Sequence, residues 1–202
     1  MFVLGITGGI GTGKSTVSKI LEERGLLVLD ADKISHEVTD VGGVALEEIK
    51  AEFGARAIAA NGAMDRKYIS SKVFDDKMKL DKLSSIVHKY VIETIITSLE
   101  KERIRSTKCV VLDVPIPVKH GFIDQCNQIW VVTCDDKVRL ERIVNRGSNR
   151  DDAQRRIQMQ MTNEEYAALG DFEIDNSGTI DEVKARVEAL IKSELHERGI
   201  RI

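Results

Sequence analysis

A glycine-rich stretch near the start of the chain has the residue types and spacing of a phosphate-binding loop. Residues 8-GGIGTGKS-15 match the pattern G-x-x-x-x-G-K-[S/T], and they lie between an apolar run and a helical pattern. Glycines let successive backbone N–H groups turn toward a phosphate, the lysine reaches the β- and γ-phosphate oxygens, and the hydroxyl contacts Mg²⁺. The N-terminus of the following helix adds the positive end of its dipole. The pattern therefore predicts a nucleotide site in which Lys14 and Ser15 contact the phosphates and the metal.

Three acidic residues close predicted strands and are candidates for handling a phosphoryl acceptor. Asp30 and Asp32 lie in 27-LVLDAD-32, and Asp113 ends 109-CVVLD-113. Ligands of open α/β sheets bind at the carboxyl ends of the strands, where one carboxylate can orient a hydroxyl and take its proton. Each acid has a helix N-cap or a loop contact as its alternative role. For Asp113 three further roles are open: a water-mediated Mg²⁺ contact, a substrate contact, or support of the adjacent turn.

Arginines are dense between residues 138 and 161. Positioned guanidinium groups stabilise the charge on a transferring phosphoryl group. Arg142 and Arg146 share one face of a predicted helix and end beside Gly147, where we expect a lid to begin. For Arg139 and Arg155 we predict instead a solvated helix face with ion pairs to residues four positions away.

The elements that must position these side chains alternate along the chain. Five short apolar runs predict buried strands at residues 3–6, 26–29, 109–112, 129–133 and 172–174. Helical patterns separate the runs, and the first extends from near Lys14 to just before Gly25. This alternation predicts an α/β fold with a parallel sheet covered on both faces.

Two connections are longer than simple crossovers and predict inserted helical parts. The first covers about residues 33–107 and includes a helical pattern over 78–105, with 40-DVGG-43 interpreted as a loop before a helix near Val44. We expect it to form a helical substrate lobe. The second, at about 142–168, is the expected helical lid, and the pattern over 180–198 predicts a structural helix.

Composition narrows the classes of partner. The 202-residue chain has a net charge of −3, so no overall basic field favours nucleic acid or an anionic membrane. The three cysteines, Cys109, Cys126 and Cys134, lack C-x-x-C spacing and are expected to be packing residues in a reducing compartment. No signal peptide and no run of roughly 20 apolar residues is present. These observations predict a soluble cytoplasmic protein, and they leave the oligomeric state open.

Several functions share the glycine loop and stay open on the residues alone. A signalling GTPase should also carry an N-K-x-D motif, which the sequence lacks. A small-molecule kinase, a nucleoside or nucleotide kinase of the same architecture, and a nucleotide-dependent switch without an acceptor are the remaining alternatives. A purely structural protein would leave the loop unexplained.

Strings spread over nearly the whole chain resemble the dephospho-coenzyme A kinase family. The most specific are the D-A-D after the second strand, the R-x-x-x-R-G at the start of the lid and the late I-D-N-S-G. The full set is 5-GITGGIGTGKSTV-17, 28-VLDADKISHEV-38, 73-VF-74, 83-LSSIVHKYVI-92, 113-DVP-115, 142-RIVNRG-147, 156-RIQMQM-161 and 171-DFEIDNSG-178.

This resemblance implies a doubly wound five-stranded parallel sheet of the P-loop kinase type and ATP-dependent phosphorylation of the ribose 3′-hydroxyl of dephospho-CoA. That reaction is the last step of coenzyme A biosynthesis, with ATP and Mg²⁺ as cofactors. Catalytic roles are implied for Lys14, Asp32, Arg142 and Arg146, and acceptor contacts for Asp32, His88 and Asp113. Nucleotide contacts are expected from the loop and, near the adenine, from the 175-DNSG-178 segment, with Ser15 also at the metal: Gly9, Gly11, Thr12, Gly13, Lys14, Ser15, Thr16 and Asn176.

Three departures from the family pattern fall around the acceptor side. His88 is followed by Lys89 where the family usually has H-P, and 115-PIPVK-119 replaces P-L-L-F-E, so that Lys119 stands for an acid. The usual P-G is 41-VGG-43 here. His88 has two roles open to it, an acceptor contact or a core histidine.

Overall fold

The computed structural model describes residues 1–115, 120 and 122–202, and it contains one parallel five-stranded sheet. The order of the strands across the sheet is β2-β3-β1-β4-β5. Each strand overlaps its predicted run, with ends that shift by one residue in most cases, which confirms the predicted α/β class. The strands are β1 (Phe2–Thr7), β2 (Leu27–Asp30), β3 (Cys109–Asp113), β4 (Gln128–Thr133) and β5 (Phe172–Asp175).

Helices connect the strands along the chain. Those before β3 are α1 (Lys14–Glu23), α2 (Ala31–Glu37), α3 (Leu46–Phe53), α4 (Arg66–Val73) and α5 (Lys77–Ile104). Those after β4 are α6 (Asp136–Asn145), α7 (Arg150–Gln158), α8 (Asn163–Ala167) and α9 (Ile180–Leu190), which continues as a π-turn (Ile191–Leu195) and a 3₁₀ turn (His196–Arg198). The long helix predicted over 78–105 is thereby confirmed as α5.

The register of the strands aligns their carboxyl ends at one edge of the sheet. Asp113 at the end of β3 lies opposite Ile6 of β1 on one side and opposite Asp30 of β2 on the other. Thr7, the last residue of β1, is opposite Val131 of β4. The loop that follows β1 and the acid that ends β3 therefore meet at the same edge, as ligand-binding residues of open α/β sheets do.

The core lies where α1 and α9 pack on the sheet. Leu4, Ile6, Trp130, Val132 and Ile174 of the strands are fully buried together with apolar residues of the two helices. Because strands in this position are buried on both faces, they read as continuous apolar runs and not as alternating patterns. Trp130 satisfies its indole N–H by donating to the Gln128 Oε1 at 3.0 Å. Helix α9 begins at a capping box between Thr179 and Glu182, and its buried positions Val183 and Val187 are one turn apart.

The chain forms two compact units, residues 1–30 with 101–202 and residues 31–100. In the second unit, Asp65 caps α4 by accepting from the Tyr68 N–H at 2.9 Å. Lys89 of α5 pairs with Glu48 of α3 at 2.8 Å. Residues 40-DVGG-43 form a turn after α2 and precede α3, which confirms the interpretation of that string as a loop.

The cysteines are free thiols in packed positions. Cys109 and Cys134 are buried, and Cys126 is half-buried. Burial raises the pKa of the Cys109 thiol and of the Cys126 thiol to about 12, so these groups are neutral at physiological pH. Their position supports the predicted packing role. Among the described residues, no helix combines the length and the apolar character that a bilayer crossing requires.

Candidate active site

The glycine loop connects the end of β1 to the first turn of α1. Gly11 and Gly13 have φ angles of 79° and 87°, a left-handed conformation that side chains with a Cβ rarely adopt. A Cβ on Gly11 would lie 2.9 Å from the Arg139 carbonyl oxygen, and one on Gly13 would collide with the Asn176 amide. Thr12 closes the turn over residues 9–12, because its hydroxyl donates to the Gly9 carbonyl at 2.9 Å. Both the conformation and the space around the loop therefore require glycine.

The N-terminus of α1 directly follows this loop. Gly13 is the N-cap residue and has no side chain with which to cap the helix, and the first turn contains no acidic residue. The first amides of a helix lack intrahelical partners and carry the positive end of the dipole. Ser15 is exposed and Thr16 half-buried in the same turn. This arrangement suits a bound phosphate.

Lys14 and Asp113 form an ion pair at the edge of the sheet. Both side chains are largely buried, with 14% and 4% of their surface exposed. The second oxygen of Asp113 accepts from the Ser18 hydroxyl at 2.5 Å. The structure thus brings together the predicted loop lysine and the predicted strand-end acid, and Ser18 is an additional contact that the motif did not indicate.

Asn176 and Arg142 hold the loop from the side of β5 and α6. Asn176 is 4% exposed, and its amide donates to the Thr12 carbonyl at 2.7 Å. Arg142 donates to the same carbonyl at 3.3 Å and to the Asn176 carbonyl at 2.9 Å. The structure therefore places both predicted site residues against the backbone of the loop.

The segment 175-DNSG-178 is organised by its own side chains. Asp175 accepts from the Ser177 hydroxyl at 2.5 Å and from the Ser177 N–H at 2.9 Å. These bonds from Ser177 keep the pKa of the Asp175 carboxyl below its usual value. The Asn176 N–H in turn donates to the Thr133 carbonyl at 2.8 Å. The turn fixes the position from which Asn176 reaches the loop.

Arg139 lies in a different place from the predicted one. It is 1% exposed, whereas the sequence interpretation placed it on a solvated helix face, so that prediction was wrong. Its Nε donates to the Ile10 carbonyl at 3.1 Å and its Nη1 to Asp136 at 2.8 Å. A signal was available, because Arg139 stands four residues before buried Ile143 and so shares its helix face. Arg155, by contrast, is exposed as predicted, although its ion-pair partner Asp152 lies three residues away and not four.

Three further predicted residues lie at exposed positions, whereas Asp30 is half-buried at the end of β2. Arg146 is the C-cap residue of α6, and Gly147, with a φ of 94°, ends that helix. Asp32 is exposed in the first turn of α2. His88 is exposed on α5, so the core-histidine alternative for it is wrong. Lys119 and the preceding residues 116–118 lie outside the described residues.

A metal ion would have few protein ligands of its own here. Within the described ranges, no group of three or more His, Cys, Asp or Glu side chains is arranged to hold a metal. The hydroxyl of Ser15 is exposed at the start of α1. Mg²⁺ prefers oxygen ligands and usually combines one or two protein groups with water and substrate phosphates. The residues present fit a metal that arrives with a nucleotide.

Comparison with known proteins gives one consistent family. The model of the dephospho-CoA kinase family matches residues 2–182. A dephospho-CoA kinase of Fusobacterium nucleatum is 39% identical over 189 residues, which cover 93% of this chain and 96% of that protein. One from Thermobifida fusca is also 39% identical, over 98% of this chain and 100% of that protein. The solved structure of dephospho-CoA kinase from Campylobacter jejuni superposes with a TM-score of 0.73 at 22% identity, covering 97% of this chain and 98% of that one.

Proposed function

Since the chain belongs to the dephospho-CoA kinase family, we propose that it transfers the γ-phosphoryl group of ATP to the ribose 3′-hydroxyl of dephospho-CoA. The products are coenzyme A and ADP. The protein is a kinase, and the family catalyses the final step of coenzyme A biosynthesis. The observation that carries the proposal is the match of the family model to residues 2–182, nearly the whole chain.

The nucleotide side of the mechanism uses the loop and Lys14. The amides of the loop and of the first turn of α1 bind the phosphates, and the Lys14 ammonium neutralises charge on the β- and γ-oxygens. Lys14 is paired with Asp113 in the structure, so a phosphate must compete with this carboxylate or share the lysine with it. Asp113 therefore keeps the ammonium at the strand edge before the nucleotide arrives. The acceptor contact implied for Asp113 remains part of the proposal.

Mg²⁺ is part of the proposal, and Ser15 is the residue that would hold it. When bound, the ion neutralises charge on the β- and γ-phosphate oxygens. The Ser15 hydroxyl is exposed at the N-terminus of α1, where the phosphates bind in this proposal. The chain's own part is to supply that oxygen at a fixed place in the helix.

The acceptor side uses Asp32, with Arg146 and Arg142 stabilising the phosphoryl group and His88 contacting the acceptor. Asp32 follows Asp30, the last residue of β2, by two positions, and its carboxylate orients the 3′-hydroxyl and takes its proton. General base catalysis of this kind contributes roughly 10²–10⁴ in rate. Arg146 ends α6 beside Gly147, so its position is compatible with a guanidinium that moves onto the substrate. Arg142, besides the charge it offers to the phosphoryl group, holds the Thr12 carbonyl of the loop.

The experiment that tests the proposal measures ADP release with Mg·ATP and a panel of acceptors. We expect a strong rise with dephospho-CoA and none with adenosine, AMP, CMP or pantothenate. A rise with a nucleoside or nucleotide instead would assign a different acceptor. ATP binding with no acceptor dependence at all would favour a nucleotide switch.

A substitution connects this activity to the predicted base. Asp32→Asn should lower kcat by about 10²–10⁴ while ATP binding stays near that of the wild type. Asp40→Asn is the matched control, because Asp40 is an exposed acid of the same unit whose carboxylate accepts from the Val41 N–H of its own turn. Near-normal turnover of Asp32→Asn would remove Asp32 from the mechanism.

A further inference from the structure

The buried guanidinium of Arg139 supports the phosphate loop from the side of α6. Its contacts belong to no part of the mechanism described above. We propose that Arg139 is a positioning residue that fixes the Ile10–Gly11 peptide and thereby sets the affinity of the loop for nucleotide. This inference rests on the proposed use of ATP, and it names a residue that the glycine-loop motif does not contain.

Both backbone polar groups of Ile10 are held by side chains from elsewhere in the chain. Arg139 Nε donates to the Ile10 carbonyl at 3.1 Å. The Ile10 N–H donates to the Gln160 Oε1, just beyond the end of α7, at 2.7 Å. The N–H and the C=O of Ile10 are thus both hydrogen-bonded to side chains, one from α6 and one from the segment after α7. These two bonds determine the orientation of the residue.

The planarity of the peptide bond carries this constraint into the loop. In a trans peptide, the C=O and the following N–H point in opposite directions. Because Arg139 holds the Ile10 carbonyl on its own side, the Gly11 N–H must point to the side turned away from Arg139. A released carbonyl could rotate toward the phosphates and repel them, since both groups are negatively polarised. The Thr12 carbonyl is held in the same manner by Asn176 and Arg142, which leaves the Gly13 N–H similarly directed.

The packing around Arg139 explains why this position requires an arginine. A Cβ on Gly9 would lie 2.7 Å from its Nη2, and one on Gly11 would lie 2.9 Å from its backbone oxygen, so the loop lies directly on this residue. Its Nη1 is fixed by Asp136 at 2.8 Å, while the buried Nη2 has no hydrogen-bond partner among the described residues. The planar fork lets one group bind the loop and another bind the acid, whereas lysine has a single compact charge.

The test compares Arg139→Met with Arg139→Lys in the full-length protein. ADP affinity is measured by calorimetry without any acceptor, at a temperature well below the unliganded Tm of each variant. Arg139→Met should weaken ADP binding by about tenfold or more, the effect of one lost hydrogen bond from a charged group. Arg139→Lys should recover part of that loss. The KM for dephospho-CoA should not change in either variant, so the effect falls on the KM for ATP.

A matched control and a second variant complete the experiment. Arg155→Met removes an arginine that also pairs with an acid three residues earlier, but on an exposed face, and should bind ADP like the wild type. If Arg139→Met does not fold, Asp136→Asn tests the same idea. Asparagine keeps the shape of the exposed Asp136 side chain but removes the charge that fixes the Arg139 guanidinium. The expected loss of ADP affinity is about twofold to fourfold.

The outcomes separate the inference from the proposed function. The positioning role is overturned if folded Arg139→Met binds ADP within twofold of the wild type. Where Arg139→Met does not fold, it is overturned if Asp136→Asn binds ADP as the wild type does. A drop in Tm with unchanged ADP affinity would assign Arg139 a purely structural part and likewise overturn the proposal. Failure of the wild type to bind ADP at all would instead contradict the proposed use of ATP.

Discussion

Replacing Asp113 by asparagine should destabilise the protein most when no nucleotide is bound. The substitution preserves the shape of the side chain but removes the charge that neutralises Lys14, whose side chain is only 14% exposed. Removing one partner of a buried ion pair costs about 3–5 kcal/mol. The asparagine oxygen can still accept a hydrogen bond, so we expect the lower end, about 3 kcal/mol, which is a fall in Tm of roughly 6–12 °C for a chain of this length.

Nucleotide should reverse part of this loss, because its phosphate oxygens give Lys14 a new partner. We would measure urea unfolding of the wild type and of Asp113→Asn, each with and without saturating ADP. The difference in unfolding free energy between the two proteins should shrink by about 1 kcal/mol or more when ADP is present. Ser18→Ala is the control: it loses one hydrogen bond to the same carboxylate, about 1.5 kcal/mol, but retains the ion pair.

Two results would refute this reasoning. A loss below about 1 kcal/mol without ADP would mean that the pair behaves as a solvated surface ion pair. An equal loss with and without ADP would mean that Lys14 does not exchange Asp113 for a phosphate. In either case the ion pair would not prepare the lysine for nucleotide.

Two further predictions concern the loop and the core. Gly13→Ala should lower the unfolding free energy by about 2–4 kcal/mol, because alanine is strained in the left-handed conformation and its Cβ displaces the Asn176 hydrogen bond. Gly25→Ala is the control in the same urea assay, since Gly25 has an equally positive φ of 89° but open space around it. It should lower the unfolding free energy by the strain alone, about 1–2 kcal/mol. Equal losses at the two glycines would contradict the predicted clash with Asn176. Burial raises the pKa of the Cys109 thiol from 9.0 to about 12, so the thiol ionises first in the unfolded chain. Its contribution to stability is present below pH 9 and is lost as pH rises toward 12, on the order of 1 kcal/mol of it by pH 10. Cys109→Val should therefore lose less stability than the wild type between pH 8 and pH 10, and identical pH profiles would count against the shift.

The sequence predicts the fold well because the relevant forces are local or strongly patterned. The strands are continuous apolar runs, since both faces of the sheet are covered, and each run was found within about one residue of its observed ends. The glycine loop marks the start of α1, and the helical spacing of apolar residues marks the whole of α5. Both signals are local in sequence. The order in which the strands lie across the sheet was not predicted, because it depends on contacts between residues far apart in sequence.

The site was predicted less completely than the fold, because a motif records which residues bind but not which residues hold them. Lys14 and Asp113 were both named, yet their pairing and the part of Ser18 became visible only in the structure. Arg139 was predicted to lie on a solvated helix face because charged residues at helical spacing usually form ion pairs there. The hydrogen-bond acceptor of its Nε is the backbone carbonyl of Ile10, 129 residues away in the sequence. A backbone acceptor leaves no signal in the pattern of side chains along the sequence.

The strand order has a consequence for the synthesis of the chain on the ribosome. Strand β1, which leads into the phosphate loop, pairs with β3 and β4, while β2 pairs with β3. Strands β1 and β2 are therefore not neighbours, and neither has a partner in the sheet until Cys109–Asp113 leaves the exit tunnel. At 5–20 residues per second, the roughly 80 residues between β2 and β3 take about 4–16 seconds to synthesise. During that interval the nascent apolar strand Phe2–Thr7 is unpaired and is therefore open to binding by a chaperone.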